Sequence, residues 1–370
     1  MRIGIIGAGQ LGQMLGEAAQ DLGHQCHFLD PADKPPAASA GKVLRAAFDD
    51  VGALAQLAAQ SDVITYEFEN VAVDALRKLA TTLPVYPPPE ALRVAQDRLS
   101  EKQLFERLDI PLPRYQPVNS LADLSRAATR LNYPFILKTR RFGYDGKGQF
   151  VVHGASDNQI AWDALGGHPL IAEELIAFDF EVSIIGVRSP KGAIASWPLT
   201  RNEHVDGILR RSRAPESAPD ITTKAECYMQ SMLRALDYVG VLALELFVEG
   251  ERLLANEFAP RVHNSGHWTI EGSTTSQFHN HILAITGKEP QAADCPGFAG
   301  MLNLIGSMPE EMGEIRDPRV ALHDYGKQAR AGRKLGHITV TARSAEERDE
   351  LLAELEKTVT QSTLPPGPST

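Results

Sequence analysis

Three observations place this chain in the α/β class and divide it. Over the first ninety residues, short apolar runs alternate with helical periodicity, the pattern of βαβ units on a parallel sheet. From residue 133 to about 285 the pattern changes to closely spaced strand-like runs joined by long loops, and the stretch to about 357 reads as a small α+β piece. A length of 370 residues fits two or three domains of ordinary size.

Taken in order, residues 3–6 read as a buried strand, 11–22 as a helix, and 25–29, 63–66 and 85–86 as further strands. Pro87-Pro88-Pro89 cannot continue a central strand, so the first unit is bounded at 1–89. A single helix is expected over 90–108, closed before Ile110-Pro111-Leu112-Pro113. Strands are expected at 135–138, 149–152, 170–175, 181–187 and 193–198. Residues 241–248 and 252–258 flank Glu249-Gly250 and read as a β-hairpin. Strand-like runs at 301–305 and 337–341 precede a helix from Ala345. The expected units are therefore 1–89, 90–289 with a lobe at about 115–177, and 290–358, followed by a disordered proline-rich tail at 359–370.

Lys and Arg number 37 against 47 for Asp and Glu, a net charge of −10 that opposes nonspecific attraction to nucleic acid or an anionic membrane. An anionic substrate must then be held by locally concentrated cations. Cys26, Cys227 and Cys295 are odd in number and widely spaced, which supports neither a disulfide framework nor a CxxC metal site. A reduced, cytoplasmic setting is expected. The apolar start is too short for a signal-peptide core, and the run at 238–248 is broken by Glu245 and too short to span a bilayer.

Two glycine loops carry chemistry. Gly7-Ala8-Gly9-Gln10-Leu11-Gly12 follows a strand and opens a helix, with Asp30 ending the next strand. That context suits a dinucleotide, a phosphate on a smaller substrate, or simply tight strand–helix packing. In the second, Lys138 closes a strand and Arg140-Arg141-Phe142-Gly143-Tyr144-Asp145-Gly146-Lys147-Gly148-Gln149 follows at once. Its glycines expose backbone amides and its cations neutralise oxygens, so it can close over a polyphosphate, although it is not a Walker A sequence. Downstream, Glu173-Glu174-Leu175-Ile176 and Glu181 suit the adenine and ribose end of a nucleotide.

Glu245 interrupts an apolar run, where an uncompensated charge is costly, and Glu257 lies on the returning strand beside Asn256. Folding at Glu249-Gly250 brings the two carboxylates together with an offset of a few residues, a donor set Mg²⁺ takes alongside phosphate oxygens. The loop Arg261-Val262-His263-Asn264-Ser265-Gly266-His267 concentrates polar groups for substrate contact.

Together these strings resemble the N5-carboxyaminoimidazole ribonucleotide synthetases, ATP-grasp ligases of purine biosynthesis, over about residues 1 to 345. The resemblance rests on Gly9-Gln10-Leu11-Gly12, Thr65-Tyr66-Glu67-Phe68-Glu69-Asn70, Asp97-Arg98 and Gly143 to Gln149. It continues through Asn202-Glu203-His204-Val205-Asp206-Gly207-Ile208-Leu209 and Asn256-Glu257-Phe258-Ala259-Pro260-Arg261-Val262-His263-Asn264-Ser265-Gly266. It implies a Rossmann-like pre-ATP-grasp α/β domain, a two-lobed α+β ATP-grasp domain and a small C-terminal α+β domain, as a homodimer. It further implies that Arg98, Lys138, Gly143, Tyr144, Asp145, Gly146, Lys147, Gly148 and Gln149 meet the ATP phosphates. Glu173, Glu174 and Ile176 line adenine, Leu175 and Asn256 are further ATP-binding residues, Glu181 holds ribose, His204 lies near the phosphates, and Glu245 and Glu257 hold Mg²⁺, with Mn²⁺ as a substitute.

On the same resemblance, 5-aminoimidazole ribonucleotide meets Gln10, Leu11, Glu67, Glu69, Arg261, His263, Asn264 and Ser265, and its 5′-phosphate meets Lys327 and Arg333. Tyr144, Asp145 and Lys147 are expected to handle bicarbonate and a carboxyphosphate intermediate. The chain departs from the family pattern at Gln13, where Arg is usual, and at Ser100-Glu101, which replaces a polar, uncharged step. Three other readings stay open: a related ligase using another acyl donor such as formate, an NAD-linked oxidoreductase, and a nucleotide-binding protein without turnover.

Overall fold

A computed structural model describes residues 1–143, 148–309 and 316–361. The first unit is a parallel sheet of four strands, ordered Lys42–Arg45, Gln25–Asp30, Arg2–Ile6, Val63–Tyr66. The central strand Arg2–Ile6 is apolar throughout its buried part because helices cover both faces. Helix Gln10–Asp21 buries Leu11, Met14, Leu15, Ala18 and Ala19 on one stripe. The expected strand at 85–86 reduces to a single bridge from Val85 to Ile64, since the prolines that follow supply no N–H to continue the ladder.

The expected helix over 90–108 is two helices, Pro89–Ala95 and Arg98–Arg107. Asp97 divides them. Its extended backbone and side chain, which accepts from Leu99 N at 3.0 Å, cap the second helix. The same carboxylate takes the Arg140 guanidinium at 2.6 Å, so the break also anchors the start of the second glycine loop.

Strands Tyr115–Val118, Leu170–Glu174, Phe135–Thr139 and Gln149–Val152 form an antiparallel sheet in that order. This lobe has its own core, built on Val118, Leu124, Phe135, Leu137, Val152 and Leu170. Among the described residues the larger lobe is a nine-stranded antiparallel sheet with Arg252–Ala259 at one end, then Gly240–Glu249, Phe180–Arg188, Thr200–Val205 and Ile208–Ala214, while the short strand Ile194–Ser196 pairs with Phe180–Arg188 off that order. The C-terminal strands Phe298–Ile305, Lys334–Ala342 and Val320–Asp324 continue this same sheet, covered by helix Ala345–Gln361. That helix takes in residues 359–361, the first three of the expected tail. The expected hairpin is present, and a second one, Thr200–Val205 with Ile208–Ala214, turns at Asp206-Gly207, both at positive φ (53° and 75°).

One core joins the parallel sheet to the large lobe: Met14, Leu15 and Ala18 pack with Phe278, Ile282 and Ile285 of helix Gln277–Ile285. A buried polar contact reinforces it, Thr65 Oγ1 to His281 Nε2 at 2.9 Å, while His281 Nδ1 accepts from Val241 N. The first unit is thereby fixed to the lobe that carries the hairpin. Among the described residues no helix is long and apolar enough to cross a membrane.

Candidate active site

Helix Arg98–Arg107 and strands of both lobes converge on one cationic pocket. Lys138 Nζ donates to Glu173 Oε2 at 3.0 Å, and Lys102 Nζ lies 3.5 Å from the same oxygen. Glu173 is 2% exposed; burial opposes its charge, but Lys102, Lys138 and Arg98 outweigh burial and hold the carboxyl at about 2. Burial also lowers Lys138, against the pull of Glu173. Arg98 donates to Glu257 Oε2 at 2.9 Å and keeps its charge despite burial because Glu257 and Glu173 face it. Three cations are thus gathered around Glu173 and Glu257, donors of the kind a polyphosphate takes.

Glu174 turns outward to an ion pair with Arg114 at 2.8 Å, so its side chain faces away from Glu173. Beside it, Leu175 is 40% exposed, Ile176 is half-buried, and Phe178 stacks on Phe247 with ring centroids 4.7 Å apart. Exposed apolar surface of this kind can take a purine face. Glu181 contacts His204 Nδ1, and that contact, with Glu245 nearby, raises the imidazole against the lowering effect of burial. Gln149 pairs with Lys138 in the strand register. Gly148 has φ +72°, and a Cβ there would lie 2.6 Å from Thr139 Oγ1. Gly143 is described, whereas Tyr144, Asp145, Gly146 and Lys147 lie outside the described residues, as does the tail from residue 362.

Glu245 and Glu257 are direct partners in the hairpin, so the expected offset is absent and both side chains rise on one face. Glu245 accepts from His263 Nε2 at 3.0 Å; His263, His204 and Lys334 hold it below the usual carboxylate range although burial opposes this. Two carboxylates beside an anion pocket fit Mg²⁺, which takes one or two carboxylates and completes its shell with phosphate and water. Among the described residues no set of three or more His, Cys, Asp or Glu forms an all-protein metal cage. Asn256 offers its carbonyl to Lys102 Nζ at 2.6 Å.

The first glycine loop closes on protein carboxylates. Gly9 N donates to Glu67 Oε1 at 2.6 Å and Ala8 N to Asp30 Oδ2 at 2.8 Å. A Cβ on Gly7, whose φ is +101°, would lie 2.7 Å from Glu67 Cγ. Two of the loop's amides are thus engaged by protein carboxylates, and Glu67 sits where a dinucleotide pyrophosphate would approach. Burial raises Glu67, partly offset by the Gly9 amide and by Arg261 and Lys327.

Around this loop, Gln10 Oε1 accepts from Lys327 Nζ, and Leu11 is buried beneath. Burial, with Arg333 and Lys334 nearby, lowers Lys327 to about 8 against the pull of Glu67. Arg333 is half-buried and donates to Gln328 O at 3.2 Å. Arg261 pairs with Glu69 at 2.8 Å. His263 Nδ1 faces the Ser265 hydroxyl at 2.9 Å, which also accepts from Ser183, and Ser265 is fully buried. The Asn264 amide exchanges two hydrogen bonds with Asn303. Ser265 and Asn264 therefore shape the loop that aims His263 and Arg261.

Lys102, Phe178 and Phe247 escaped the sequence reading. Lys102 had a usable signal, since it lies four residues after Arg98 and hence on the same helix face.

A two-lobed nucleotide pocket behind a parallel α/β unit defines an ATP-grasp enzyme, and the family models agree: residues 1–96 match the ribonucleotide synthetase preATP-grasp domain and 103–278 the ATP-grasp domain. Residues 299–351 match the phosphoribosylaminoimidazole carboxylase C-terminal domain. The chain is 45% identical over 356 residues to an N5-carboxyaminoimidazole ribonucleotide synthase of Pseudomonas aeruginosa, covering 96% of this chain and 99% of that one. It superposes on the crystal structure of N5-carboxyaminoimidazole ribonucleotide synthetase from Thermus thermophilus with a TM-score of 0.93 at 46% identity, covering 98% and 99% of the two chains. A structure of the Aspergillus clavatus synthase with ADP and 5-aminoimidazole ribonucleotide matches with a TM-score of 0.89 at 32% identity, covering 97% and 98%. The chain belongs to the N5-carboxyaminoimidazole ribonucleotide synthase family.

Proposed function

We propose that this ATP-grasp ligase carboxylates 5-aminoimidazole ribonucleotide with bicarbonate, consuming ATP and yielding N5-carboxyaminoimidazole ribonucleotide, ADP and phosphate in de novo purine synthesis. The observation that carries the reading is the presence of two clusters of cationic side chains, one on each side of the Glu245–His263 contact. Arg98, Lys102 and Lys138 gather at the hairpin, while Lys327 and Arg261 gather at the first glycine loop. His263 joins them, because its loop lies between Glu245 and the Arg261–Glu69 pair.

Bicarbonate is a poor electrophile and must be activated. Its oxygen attacks the γ-phosphorus of ATP, the bond to ADP breaks, and carboxyphosphate forms. The ribonucleotide amine then attacks the carboxyl carbon, loses a proton, and phosphate departs. Arg98 and Lys138 neutralise the transferring phosphoryl oxygens with His204 near them, while Phe178, Phe247, Leu175 and Ile176 seat adenine, and Glu181 holds ribose. A magnesium ion bound by Glu245 and Glu257 would supply charge compensation at the phosphates. Lys327 and Arg333 take the 5′-phosphate, and Glu67, Glu69, Arg261 and His263 face the aminoimidazole ribose. Tyr144, Asp145 and Lys147 remain our assignment for bicarbonate, on the residue chemistry of the second loop. We also propose units at 1–89, 90–289 and 290–358 and a homodimeric, cytoplasmic enzyme, supported by the resemblance, the acidic charge and the sparse cysteines.

Incubation with ¹³C-bicarbonate, ATP, Mg²⁺ and the ribonucleotide tests the reading. A new carbamate ¹³C resonance that needs all four components is expected; labelling from ¹³C-formate instead would replace it with the formate-ligase reading.

A further inference from the structure

Strand Arg252–Ala259 is the outermost strand of its sheet, so one edge of its backbone lacks a neighbouring strand. Side chains of helix Arg98–Arg107 cover that edge. Lys102 Nζ donates to the carbonyl of Asn256 at 2.6 Å, and Phe258 N donates to Glu101 Oε1 at 2.7 Å. The peptide groups on both sides of Glu257 are thus gripped by two consecutive residues of one helix. Arg98, one turn earlier, holds the Glu257 carboxylate itself. Glu101 and Lys102 are 2% and 0% exposed, so neither serves solubility, and burying two ionisable groups is costly unless they are used.

We infer that Glu101 and Lys102 are positioning residues that set the place of Glu257, acting through the backbone of the strand that carries it. The inference rests on the reading of Glu257 as a magnesium-binding carboxylate. Burial, reinforced by Glu257 and opposed by Lys102, raises the Glu101 carboxyl to about 8. Its oxygen accepts the Phe258 N–H, a role an amide oxygen of the same reach can fill.

The test compares Glu101→Gln, Glu101→Met, Glu101→Ala and Glu257→Gln in the full-length enzyme. Each is read by KM for ATP, KM for the ribonucleotide, kcat, the Mg²⁺ concentration for half-maximal rate, and thermal midpoint. Met and Ala both remove the acceptor, one filling its volume and one not, so whichever folds gives the reading. We expect the Mg²⁺ midpoint and the ATP KM to rise ~10-fold or more, the scale of orphaning a buried donor, with the ribonucleotide KM within about twofold. Glu101→Gln should restore all values. The inference is overturned if Met or Ala lowers the thermal midpoint but leaves the Mg²⁺ midpoint and ATP KM unchanged, or if Gln is as damaging as Met. Wild-type turnover in Glu257→Gln would instead sink the metal reading beneath it.

Discussion

Replacing Glu173 by Gln removes the one carboxylate that Lys102 and Lys138 share, and the cost can be worked from two directions. The carboxyl falls from its ordinary 4.5 to about 2 in the folded protein. At 1.36 kcal/mol per unit this is about 3 kcal/mol of stability at neutral pH. Removing one partner of a buried pair, which strands the other charge, costs about 3–5 kcal/mol, and Lys102 is wholly buried. The agreement fixes the expectation that Glu173→Gln, without nucleotide, loses about 3 kcal/mol. Because the folded pKa is depressed, this stability is present above pH 4.5 and disappears as pH falls toward 2. Urea unfolding followed by far-ultraviolet circular dichroism at pH 7 and pH 4 is the assay. The variant should unfold at clearly lower urea at pH 7, with the gap narrowing at pH 4. Coincident curves at pH 7, or a gap that does not change with pH, would refute the account of the pocket.

Lys327 stands at about 8 in the free enzyme. The pH profile of kcat/KM for the ribonucleotide should therefore fall above pH 8, and Lys327→Arg, whose guanidinium stays charged, should lose that limb. His281, wholly buried, is pushed down to about 3 by burial, so it stays neutral with its proton on Nε2. Its ¹⁵N resonances should not titrate between pH 5 and 8, and stability should decline only as pH drops below the unfolded value of 6.5; a midpoint near 6.5 would contradict the buried contact. Gly7→Ala places a Cβ against Glu67 at φ +101°, and should cost about 1–2 kcal/mol in thermal unfolding while raising the ribonucleotide KM.

The chain's sequence made the strands of the parallel sheet and the Glu245/Glu257 hairpin legible because their signals are local: apolar runs bounded by turn residues. The break at Asp97 was hidden, since its role as a cap and as the partner of Arg140 depends on a loop 43 residues away. The Thr200–Val205 hairpin was readable from Asp206-Gly207 but was obscured because its buried face carries the polar Thr200, Asn202 and Ser212 in place of an apolar alternation. In the site, the charged positions could be named from type and motif. Their pairings could not. The first glycine loop shows why: the sequence offered it as a phosphate cradle, whereas Glu67, 58 residues away, occupies its amide. Likewise the joining of the C-terminal strands to the large sheet is a long-range pairing, Arg211 with Leu302, that no local pattern announces.

On the proposed function, hydrolysis of ATP is tied to bicarbonate and the aminoimidazole ribonucleotide in one site. ADP release measured with both co-substrates, and with each omitted or with formate replacing bicarbonate, tests it most directly. Rapid release is predicted with bicarbonate and the ribonucleotide together, with carboxylated product formed in step. ADP release that is indifferent to bicarbonate, or that formate sustains equally well, would contradict it.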